Sequence, residues 1–444
     1  MNKVFNTVWN ESTGMWVVTS ELTRKGGRRP RQIKRTVLAG LIAGLLIPSQ
    51  PVLAAAYDNQ TLGSGGTSSS MSLGAGDTAT NTTVNGGGTQ RVYSGGSAVS
   101  TTINGGYQYV SSGGAATSTT INRGSQVLYH GASASDAIVN GGQQFVSTGA
   151  IATNTSIYSG GSQYVSTAAS VTDTTVHSGG TLTVYTGGSA VNVTQNSGSI
   201  IEANTSSILN GNNANGSFSV AGGSASNMLL ENGGYLRILN GHQAKDTTLN
   251  SGGNLLVENG GIGRNTTING GVQNVSKGGD SIGTILNEGR EFVNAGGTAT
   301  DTVVNGGMQV VYAGATAINT TVNNSGMLHT SGNVSGATVN SGGRLNAFGD
   351  SVVTNTIIDG GWATGFAGNK APSFVDTVIQ NGGRLDIKGE NYAGSKAATA
   401  TGTTINSGVM TLVSGGSATN TTINSGGRVT INGEQKESVL SQTT

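Results

Sequence analysis

The chain has 444 residues, with 75 glycines, 4 prolines, no cysteine and 10% charged residues. The lack of cysteine excludes a disulfide scaffold, a cysteine zinc site and thiol catalysis, and the glycine pattern without a three-residue period excludes collagen. The formal net charge is +1, but eight basic residues and only two acidic ones lie in residues 1–54, so the remainder is acidic. No basic stripe follows, and we expect no nucleic-acid partner.

Residues 1–54 have the layout of an export leader. A basic stretch, Arg24 to Arg35, precedes an apolar segment, Thr36 to Ile47, and the small-residue site Val52-Leu53-Ala54. The apolar segment is shorter than the ~20 residues that a membrane-spanning helix needs. The order of the three parts is that of a secretory signal. We predict a helical signal peptide that is cleaved after Ala54 and directs Sec export across an inner membrane.

An additional segment, MNKVFNTVWNESTGMWVVTSELTRKGG, precedes the basic stretch. It resembles the extended signal region of type V autotransporters, the passenger-secreting proteins of Gram-negative outer membranes. The Trp9-Asn10-x-x-x-Gly14 core and the segment Val18 to Leu22 both match that region.

The rest of the chain repeats one unit, T-T-[IV]-N-x-G-x-Q-x-V-x-x-G-G-x-A-x-[ND]. Each unit contains short β-branched runs separated by glycine and asparagine, which suit sharp corners between strands. A single unit buries too few apolar side chains to offset its ordering entropy, whereas stacked units cover one another. Disorder is disfavoured because the apolar positions keep their register. The β-branched position of the repeat recurs first at Val84, Ile103, Ile121, Val139, Ile157 and Val176.

We therefore predict an all-β fold: a single-stranded parallel β-helix, or solenoid, of about 18 coils of 18–19 residues each. The predicted organisation is a signal peptide over 1–54, an N-terminal capping region over 55–81 and β-helix repeats over 82–432, followed by a tail over 433–444. The repeat is irregular at 193–227 and at 356–402.

Units such as TTINGGYQYVSSGGAATS, Thr101 to Ser118, resemble the repeats of self-associating autotransporter adhesins of the AIDA-I and TibA type. This resemblance implies a right-handed β-helix, surface display, cell adhesion, autoaggregation and biofilm formation. It implies like passengers on neighbouring cells and a host-cell surface protein or glycan as partners. Because the chain ends close to a repeat, we expect a passenger whose C-terminal barrel is absent. We expect this passenger to be periplasmic or secreted, unless a barrel is supplied that anchors it at the cell surface.

The acidic residues do not form a catalytic group in the sequence. One corner position of the repeat, where other units carry asparagine, holds Asp136, Asp173, Asp246, Asp301 and Asp376. Because asparagine replaces aspartate freely at this position, we expect these side chains to cap turns. A calcium-binding edge formed by the aspartates is the alternative. The four histidines occupy different repeat positions, so we predict no metal site and no cofactor. We expect no enzyme; a polysaccharide-active β-helix enzyme and an inert stalk remain the alternatives.

Two groups of side chains are candidates for surface function. Hydroxyl residues follow the second strand, and the resemblance implies O-glycosylation there by a heptosyltransferase, with a plain solvated face as the alternative: Ser94, Ser111, Ser112, Ser147, Thr148, Ser166, Thr167 and Ser414. Aromatic residues that strand alternation points outward, together with those of the irregular segment, are candidate adhesive contacts: Tyr109, Phe145, Tyr164, Phe292, Trp362, Phe366 and Tyr392.

Overall fold

A computed structural model describes residues 5–10, 15–20, 53–389, 394–432 and 439–442. The chain divides into two compact units, Met1–Leu53 and Ala54–Thr444. The second unit begins at the residue after which cleavage is predicted. Within the described residues, no helix has the length and hydropathy needed to cross a bilayer.

The described part of the leader is a β-hairpin. Phe5–Asn10 pairs antiparallel with Met15–Ser20. The expectation of a helical leader is therefore wrong for these two segments, whose valine, threonine, tryptophan and phenylalanine content favours strands. The basic stretch and the apolar segment of the leader lie outside the described residues.

The second unit is a parallel β-solenoid of about 20 turns, which confirms the predicted fold. Each regular coil contributes three short strands, and each strand pairs in parallel with its equivalent in the next coil. Three parallel ladders result, and we number them by their order within a coil. Thr83–Asn85, Thr89–Val92 and Ser97–Val99 are the first, second and third strands of one coil.

The strands of the first ladder carry the Val/Ile position of the repeat. They are Thr61–Leu62, Thr83–Asn85, Ile138–Val139, Ser156–Ile157, Thr175–Val176, Leu229–Leu230, Thr248–Asn250, Val303–Val304, Thr321–Val322, Thr338–Asn340, Ile357–Asp359, Val378–Gln380 and Thr404–Asn406. Four longer strands continue from the first ladder into the second: Thr102–Val110, Thr120–Leu128, Thr267–Val275 and Ile285–Val293.

The second ladder contains, besides those four strands, one strand of four or five residues from each of the other coils. They are Ser70–Leu73, Thr89–Val92, Gln143–Val146, Ser162–Val165, Thr181–Val184, Ile200–Asn204, Tyr235–Ile238, Asn254–Val257, Met308–Val311, Met327–Thr330, Arg344–Ala347, Trp362–Gly365, Arg384–Lys388, Val409–Val413 and Arg428–Asn432.

The third ladder carries the alanine position of the repeat. Its strands are Ala56–Asp58, Thr78–Thr80, Ser97–Val99, Ala115–Thr117, Ser133–Ser135, Ile151–Thr153, Ser170–Thr172, Ile208–Asn213, Ser224–Ser226, Gln243–Lys245, Ile262–Arg264, Asp280–Ile282, Thr298–Thr300, Thr316–Ile318, Asn333–Ser335, Val352–Thr354, Ser373–Val375, Thr399–Thr401 and Val439–Gln442. Two strands run from this ladder into the first: Ser189–Gln195 and Ser417–Ile423.

Residues 55–81, predicted as a capping region, form strands that pair with the following coil. Ala56–Asp58 pairs with Thr78–Thr80, and Ser70–Leu73 pairs with Thr89–Val92. Asp77 fixes the start of this segment by accepting hydrogen bonds from the backbone N–H groups of Ala55 and Gly74, both at 2.7 Å. These bonds hold the pKa of the Asp77 carboxyl below its usual value.

The interior is built from small side chains at fixed positions. Val84, Val92 and Ala98 contribute one fully buried residue from each ladder, and the following coils repeat the arrangement. Glycine is required where the chain turns close to the preceding coil: a Cβ on Gly106 would lie 2.5 Å from the carbonyl oxygens of Asn85 and Gly88. The core is therefore one thin apolar column that each coil extends.

Glutamines also point into this core, two residues before the buried valine. Gln108, Gln126, Gln144 and Gln163 each donate from Nε2 to the Oε1 atom of the glutamine in the preceding coil, over 2.6–2.7 Å, starting from Gln90. All five are fully buried. A continuous row of satisfied amides inside the solenoid thus ties five coils together.

Threonine hydroxyls supply further donors to this row. Thr101 donates to the Oε1 atom of Gln90 over 3.0 Å, and Thr119 donates to Gln108 over 3.2 Å. Where the preceding coil has an apolar residue in place of the glutamine, the buried threonine hydroxyl has no partner, as at Thr247 and Thr266. The glutamine and the first threonine of the repeat therefore act as a pair.

A second amide row lies on the outside. The asparagines after the Val/Ile position hydrogen-bond from coil to coil: Asn122 Nδ2 donates to Asn104 Oδ1 over 2.9 Å, and Asn140 donates to Asn122 over 2.8 Å. The same contacts link Asn305 to Asn287 and Asn323 to Asn305.

The two irregular segments have different structures. In the first, Gly216–Ala221 pairs antiparallel with both Ile208–Asn213 and Ser224–Ser226, so an extra strand enters the third ladder. In the second, loops follow the strands Trp362–Gly365 and Arg384–Lys388, and an antiparallel bridge joins Gly368 to Lys396. The parallel ladders continue on both sides of each segment.

Candidate functional site

The predicted aromatic contacts of the N-terminal half lie on the outer surface of the second ladder, where they are half-buried. Tyr109 stacks between Tyr107 and Tyr129, at ring-centroid distances of 5.8 and 6.2 Å. Phe145 stacks on Tyr164 at 5.0 Å. The structure thus brings these predicted residues into stacks that run from coil to coil.

Sequence analysis missed several neighbours of these stacks. Tyr93 and Tyr129 are about half exposed and flank Ser111 from the preceding and following coils. Together with Tyr109 and Arg91, whose guanidinium lies 5.7 Å from the Tyr109 ring centroid, they line a cleft of about 330 Å³. The signal that could have found them is the position directly after the last buried residue of the second strand, which holds either tyrosine or serine in these coils.

Phe292 has a similar environment in the C-terminal half, stacked on Tyr312 at 6.2 Å. Phe366 stacks on Phe348 at 4.8 Å, and Phe348 in turn contacts the ring of His329 edge-on. Phe292 and Phe366 therefore belong to coil-to-coil contacts and are not isolated surface residues.

Trp362 is the centre of a cluster that the sequence did not indicate. Its indole lies between the guanidinium groups of Arg344 and Arg384, at 5.3 and 5.1 Å from the ring centroid. The fully buried Asp386 carboxylate accepts a hydrogen bond from Trp362 Nε1 over 3.1 Å and one from Arg384 Nε over 2.7 Å. One buried acid therefore orients both the ring and one of its two cationic neighbours.

Two clefts open beside this cluster. One, of about 260 Å³, is lined by corner glycines such as Gly342, Gly360 and Gly382. The other, of about 170 Å³, is lined by Asn346, Thr364 and Phe366. Arg344 and Trp362 line both clefts.

Other residues of this region have separate roles. Lys370, in the loop after Trp362, forms an ion pair with Asp350 at 2.5 Å, and this hydrogen bond lowers the pKa of the Asp350 carboxyl. Tyr392, predicted as an adhesive contact, lies outside the described residues.

The predicted glycosylation positions lie at the corner between the second and third ladders. All eight are exposed or half-exposed: Ser94, Ser111, Ser112, Ser147, Thr148, Ser166, Thr167 and Ser414. Seven of them occur in the segment 94–167, so one edge of the solenoid presents closely spaced hydroxyl groups. The Thr167 hydroxyl donates to the Thr186 carbonyl oxygen over 2.7 Å.

The acidic corner position has a structural role. Asp136 and Asp173 have positive φ values of 57°, in the left-handed region that asparagine and aspartate tolerate best after glycine. Asn154 Nδ2 donates to Asp136 Oδ1 over 2.7 Å, and Asn192 donates to Asp173 in the same way. Among the described residues, no group of three or more histidines, aspartates or glutamates could hold a metal ion.

The histidines are dispersed and make different contacts. His177 stacks on Tyr158 at a centroid distance of 4.2 Å, and His242 Nδ1 lies 2.8 Å from Thr205 Oγ1. His329 Nε2 lies 3.0 Å from Asn346 Nδ2. Partial burial lowers the pKa of His329 below its usual value.

Comparison with family models identifies two parts of the chain. Residues 1–50 match the extended signal peptide of the type V secretion system. Residues 210–271 match the adhesin of the bacterial autotransporter system, described as a probable stalk. Both matches are to parts of proteins of the autotransporter, or type V, secretion system. The match of residues 1–50 confirms the predicted resemblance of the leader to the extended signal region of type V autotransporters.

Similar proteins point to the same family. The chain is 83% identical over 92 residues to the autotransporter CRAC of Citrobacter rodentium and 82% identical over 92 residues to the autotransporter adhesin/invasin TibA of Escherichia coli. These matches cover 21% of this chain but only 6% and 9% of the two relatives, so the chain spans a small part of their length.

Among solved structures, a TibC-catalysed hyper-glycosylated TibA fragment is 33% identical, with 87% of this chain and 99% of the fragment covered and a TM-score of 0.29.

Proposed function

We propose that the solenoid is the passenger of a surface-displayed adhesin that binds like passengers on neighbouring cells and, on a host cell, a surface protein or glycan. The observation that supports this most directly is the repetition of the same outward residues along the ladders. The similarity to TibA, which is named as an autotransporter adhesin/invasin, supports the same role. In this proposal the leader directs Sec export, and display at the surface follows.

Repetition gives weak contacts a large combined effect. The outer asparagines are linked over successive coils from Asn104 to Asn140 and from Asn269 to Asn340. Aromatic stacks join neighbouring coils at several places along the second ladder, so two parallel solenoids can form many similar contacts. Linked weak contacts raise avidity by 10²–10⁴-fold without any strong site. Because the solenoid carries a net negative charge, polar and aromatic contacts are better suited to self-association than charge pairing.

Bead aggregation tests self-association. Beads coated with the chain should aggregate, and the free chain in solution should compete with that aggregation. A matched variant with Tyr93→Ser, Tyr107→Thr and Tyr129→Ser introduces residues that other coils carry at the same positions, so it should fold and aggregate less. Beads that stay dispersed at every coating density would exclude self-association.

An inert stalk is the second candidate, because the model that matches residues 210–271 is described as a probable stalk. A stalk would hold a distal binding region away from the cell and would itself bind nothing. Coated beads that bind neither one another nor epithelial cells would favour it. The double variant Trp362→Thr and Phe366→Ser should weaken cell binding if the solenoid itself is adhesive, and should leave a stalk unchanged.

We also propose that the corner hydroxyls are O-glycosylated by a heptosyltransferase. Support comes from the exposure of these groups and from the TibA fragment, which is named as hyper-glycosylated by TibC. Coexpression with that enzyme, followed by peptide mass spectrometry, should find added sugar in the segment 94–167. Peptides from the unglycosylated third ladder serve as the internal control, and unmodified corner peptides would refute this part of the proposal.

Catalysis is not part of the proposed function. TibA is named as an adhesin/invasin, and Asp386, the buried aspartate beside Trp362, already has two hydrogen-bond partners. Incubation with soluble polysaccharides should leave their chain length unchanged. A decrease in viscosity that Asp386→Asn abolishes would indicate an enzyme instead.

A further inference from the structure

The outward position at the start of the second ladder forms a continuous column whose chemistry changes along the solenoid. In the first seven coils it holds uncharged polar residues: Ser70, Thr89, Tyr107, Ser125, Gln143, Ser162 and Thr181. In the last nine coils it holds only arginine and apolar residues: Val272, Arg290, Met308, Met327, Arg344, Trp362, Arg384, Val409 and Arg428. We call these nine residues the arginine column.

The end of this column has a regular spacing. Arg344, Arg384 and Arg428 lie on alternate coils, with Trp362 and Val409 on the coils between them. Since adjacent parallel strands are about 4.8 Å apart, successive guanidinium groups recur at intervals of about 9.6 Å. The arginines are exposed, whereas Val409 is half-buried. An apolar surface therefore alternates with a positive charge along a straight line.

The positive charges in this line are available to a ligand. Among the described residues Arg344 makes no ion pair, and its guanidinium lies over the Trp362 ring. Arg384 uses Nε for Asp386, while its side chain remains 49% exposed. The other nearby acid, Asp359, lies beyond the corner glycines and accepts a hydrogen bond from Asn381. Glycines at the adjoining corners leave the side of the column open.

We propose that the arginine column binds a linear acidic polysaccharide whose carboxylates recur on every second sugar. Arginine binds carboxylates in bidentate geometry, and the methionine, tryptophan and valine side chains offer apolar surface to the sugar rings. Each sugar of an extended chain advances by about the same distance as the rise from one coil to the next, ~4.8 Å. Carboxylates on alternate sugars therefore match arginines on alternate coils.

Charge density decides between this ligand and other polyanions. Duplex DNA carries one negative charge per ~1.7 Å, far more than one guanidinium per ~9.6 Å can neutralise. The rest of the solenoid is acidic and repels the excess charge. A sparsely charged polymer avoids this repulsion. The inference rests on the proposed adhesive role, of which it names one partner, but it is independent of self-association.

Binding of the full chain to hyaluronan, a polymer with a carboxylate on alternate sugars, tests the proposal. We expect binding to immobilised hyaluronan that weakens with salt and no binding to neutral dextran. The variant Arg344→Gln and Arg428→Gln leaves the Arg384–Asp386 pair intact and should weaken binding at least tenfold. The control Arg123→Gln and Arg264→Gln removes the same charge from exposed positions outside the column and should bind like the unaltered chain.

Trp362 supplies a local readout. Hyaluronan oligosaccharides should change the fluorescence of the chain, and Trp362→Phe should abolish that change while the circular dichroism spectrum stays the same. Equal weakening by both arginine double variants, or binding of dextran sulfate and duplex DNA as tight as that of hyaluronan, would overturn the proposal. Bead aggregation in the absence of polysaccharide would persist in that case, so failure here is distinguishable from failure of self-association.

Discussion

The buried glutamine row shows how single residues hold this solenoid together. Gln126 donates to Gln108, accepts from Gln144 and lies 3.1 Å from the Thr119 hydroxyl. Its replacement interrupts a chain of bonds that pass through the core. The last glutamine of the row is in a different situation, because Leu182 occupies the next position and needs no partner.

We expect Gln126→Leu to lower the free energy of unfolding by about 1–3 kcal/mol. It leaves the buried Gln144 amide N–H without its acceptor and removes one of the two hydrogen bonds that the Gln108 oxygen accepts from Gln126 and Thr119. Hydrogen exchange of the backbone amides of residues 108–146 measures this loss locally, which is preferable to a global transition in a long repeat array.

Gln163→Leu is the matched control, since it shortens the row by one residue at its end and continues the apolar column of Leu182, and the Thr174 hydroxyl is the group that loses its acceptor. It should cost less than Gln126→Leu. Equal losses in the two variants would show that the row has no stabilising effect beyond packing.

Glu291 extends the same principle to a carboxylate. It is fully buried and accepts hydrogen bonds from Gln273, Ser281, Thr302 and Gln309, at 2.6–3.2 Å. A single buried acid thus takes the place of a glutamine, with donors from both adjacent coils. Sequence alignment of the units shows the substitution but not the ring of donors around it.

His329 makes local stability depend on pH. Its folded-state pKa is lowered by partial burial, so in the window between that value and the unfolded value of about 6.5 the unfolded state binds more protons. Stability contributed by this residue is fully present above pH 6.5 and decreases as the pH falls through this window. Hydrogen exchange around 327–348 should become faster on acidification.

His329→Gln should remove that dependence, because glutamine does not titrate and can still bond to Asn346. An NMR titration of the ring provides the direct measurement. A His329 pKa at or above 6.5 would contradict the effect of burial.

At the scale of the strand and its corners, left-handed residues determine where each coil turns. Asn154 has a φ of 52° and also bonds to Asp136. Asn154→Ala should cost about 1–2 kcal/mol, since an alanine Cβ is strained in this conformation. Asn154→Gly loses the same side-chain bond but keeps the backbone unstrained, so it should cost less than Asn154→Ala.

Thermal unfolding of the two variants separates backbone strain from hydrogen bonding. If alanine and glycine are equally destabilising, the side-chain bond and not the φ angle is the important property of this corner. Because each corner serves one coil, the damage should stay local, and exchange of amides several coils away should be unchanged.

At the scale of the whole molecule, the coil is the unit of construction. Deletion of Thr101 to Ser118 removes one complete 18-residue coil and joins Ser100 to Thr119, which repeats the natural Ser118–Thr119 junction. All three ladders and the glutamine row can close across the gap. We expect this shortened chain to fold, with a β-sheet circular dichroism spectrum and a melting temperature within a few degrees of the original.

Deletion of Thr101 to Tyr109 is the control. It removes half a coil and places second-ladder residues opposite first-ladder residues, so that buried and exposed positions no longer match. This variant should aggregate or be degraded. If it were as stable as the complete-coil deletion, exact register between coils would not be a requirement of the fold.

Much of this structure follows from the sequence by itself. The period of 18–19 residues, with valine, isoleucine and alanine at constant positions, determines a stack of equivalent coils, because only stacking buries these side chains. The asparagine row and the left-handed aspartate corners follow from the same repetition. The leader was recognisable from its own composition and motifs, although its described segments are strands where a helix was expected.

Other features depend on the tertiary structure. Strand alternation places the glutamine on the buried side along with the valine, yet a buried polar residue is only tolerated because the neighbouring coils complete its hydrogen bonds. Insertions separate Arg344, Trp362, Arg384 and Val409 by unequal lengths of chain, and only the pairing of strands shows that they are direct neighbours. Sequence periodicity thus determined the coil, while lateral pairing decided which outward residues share one surface.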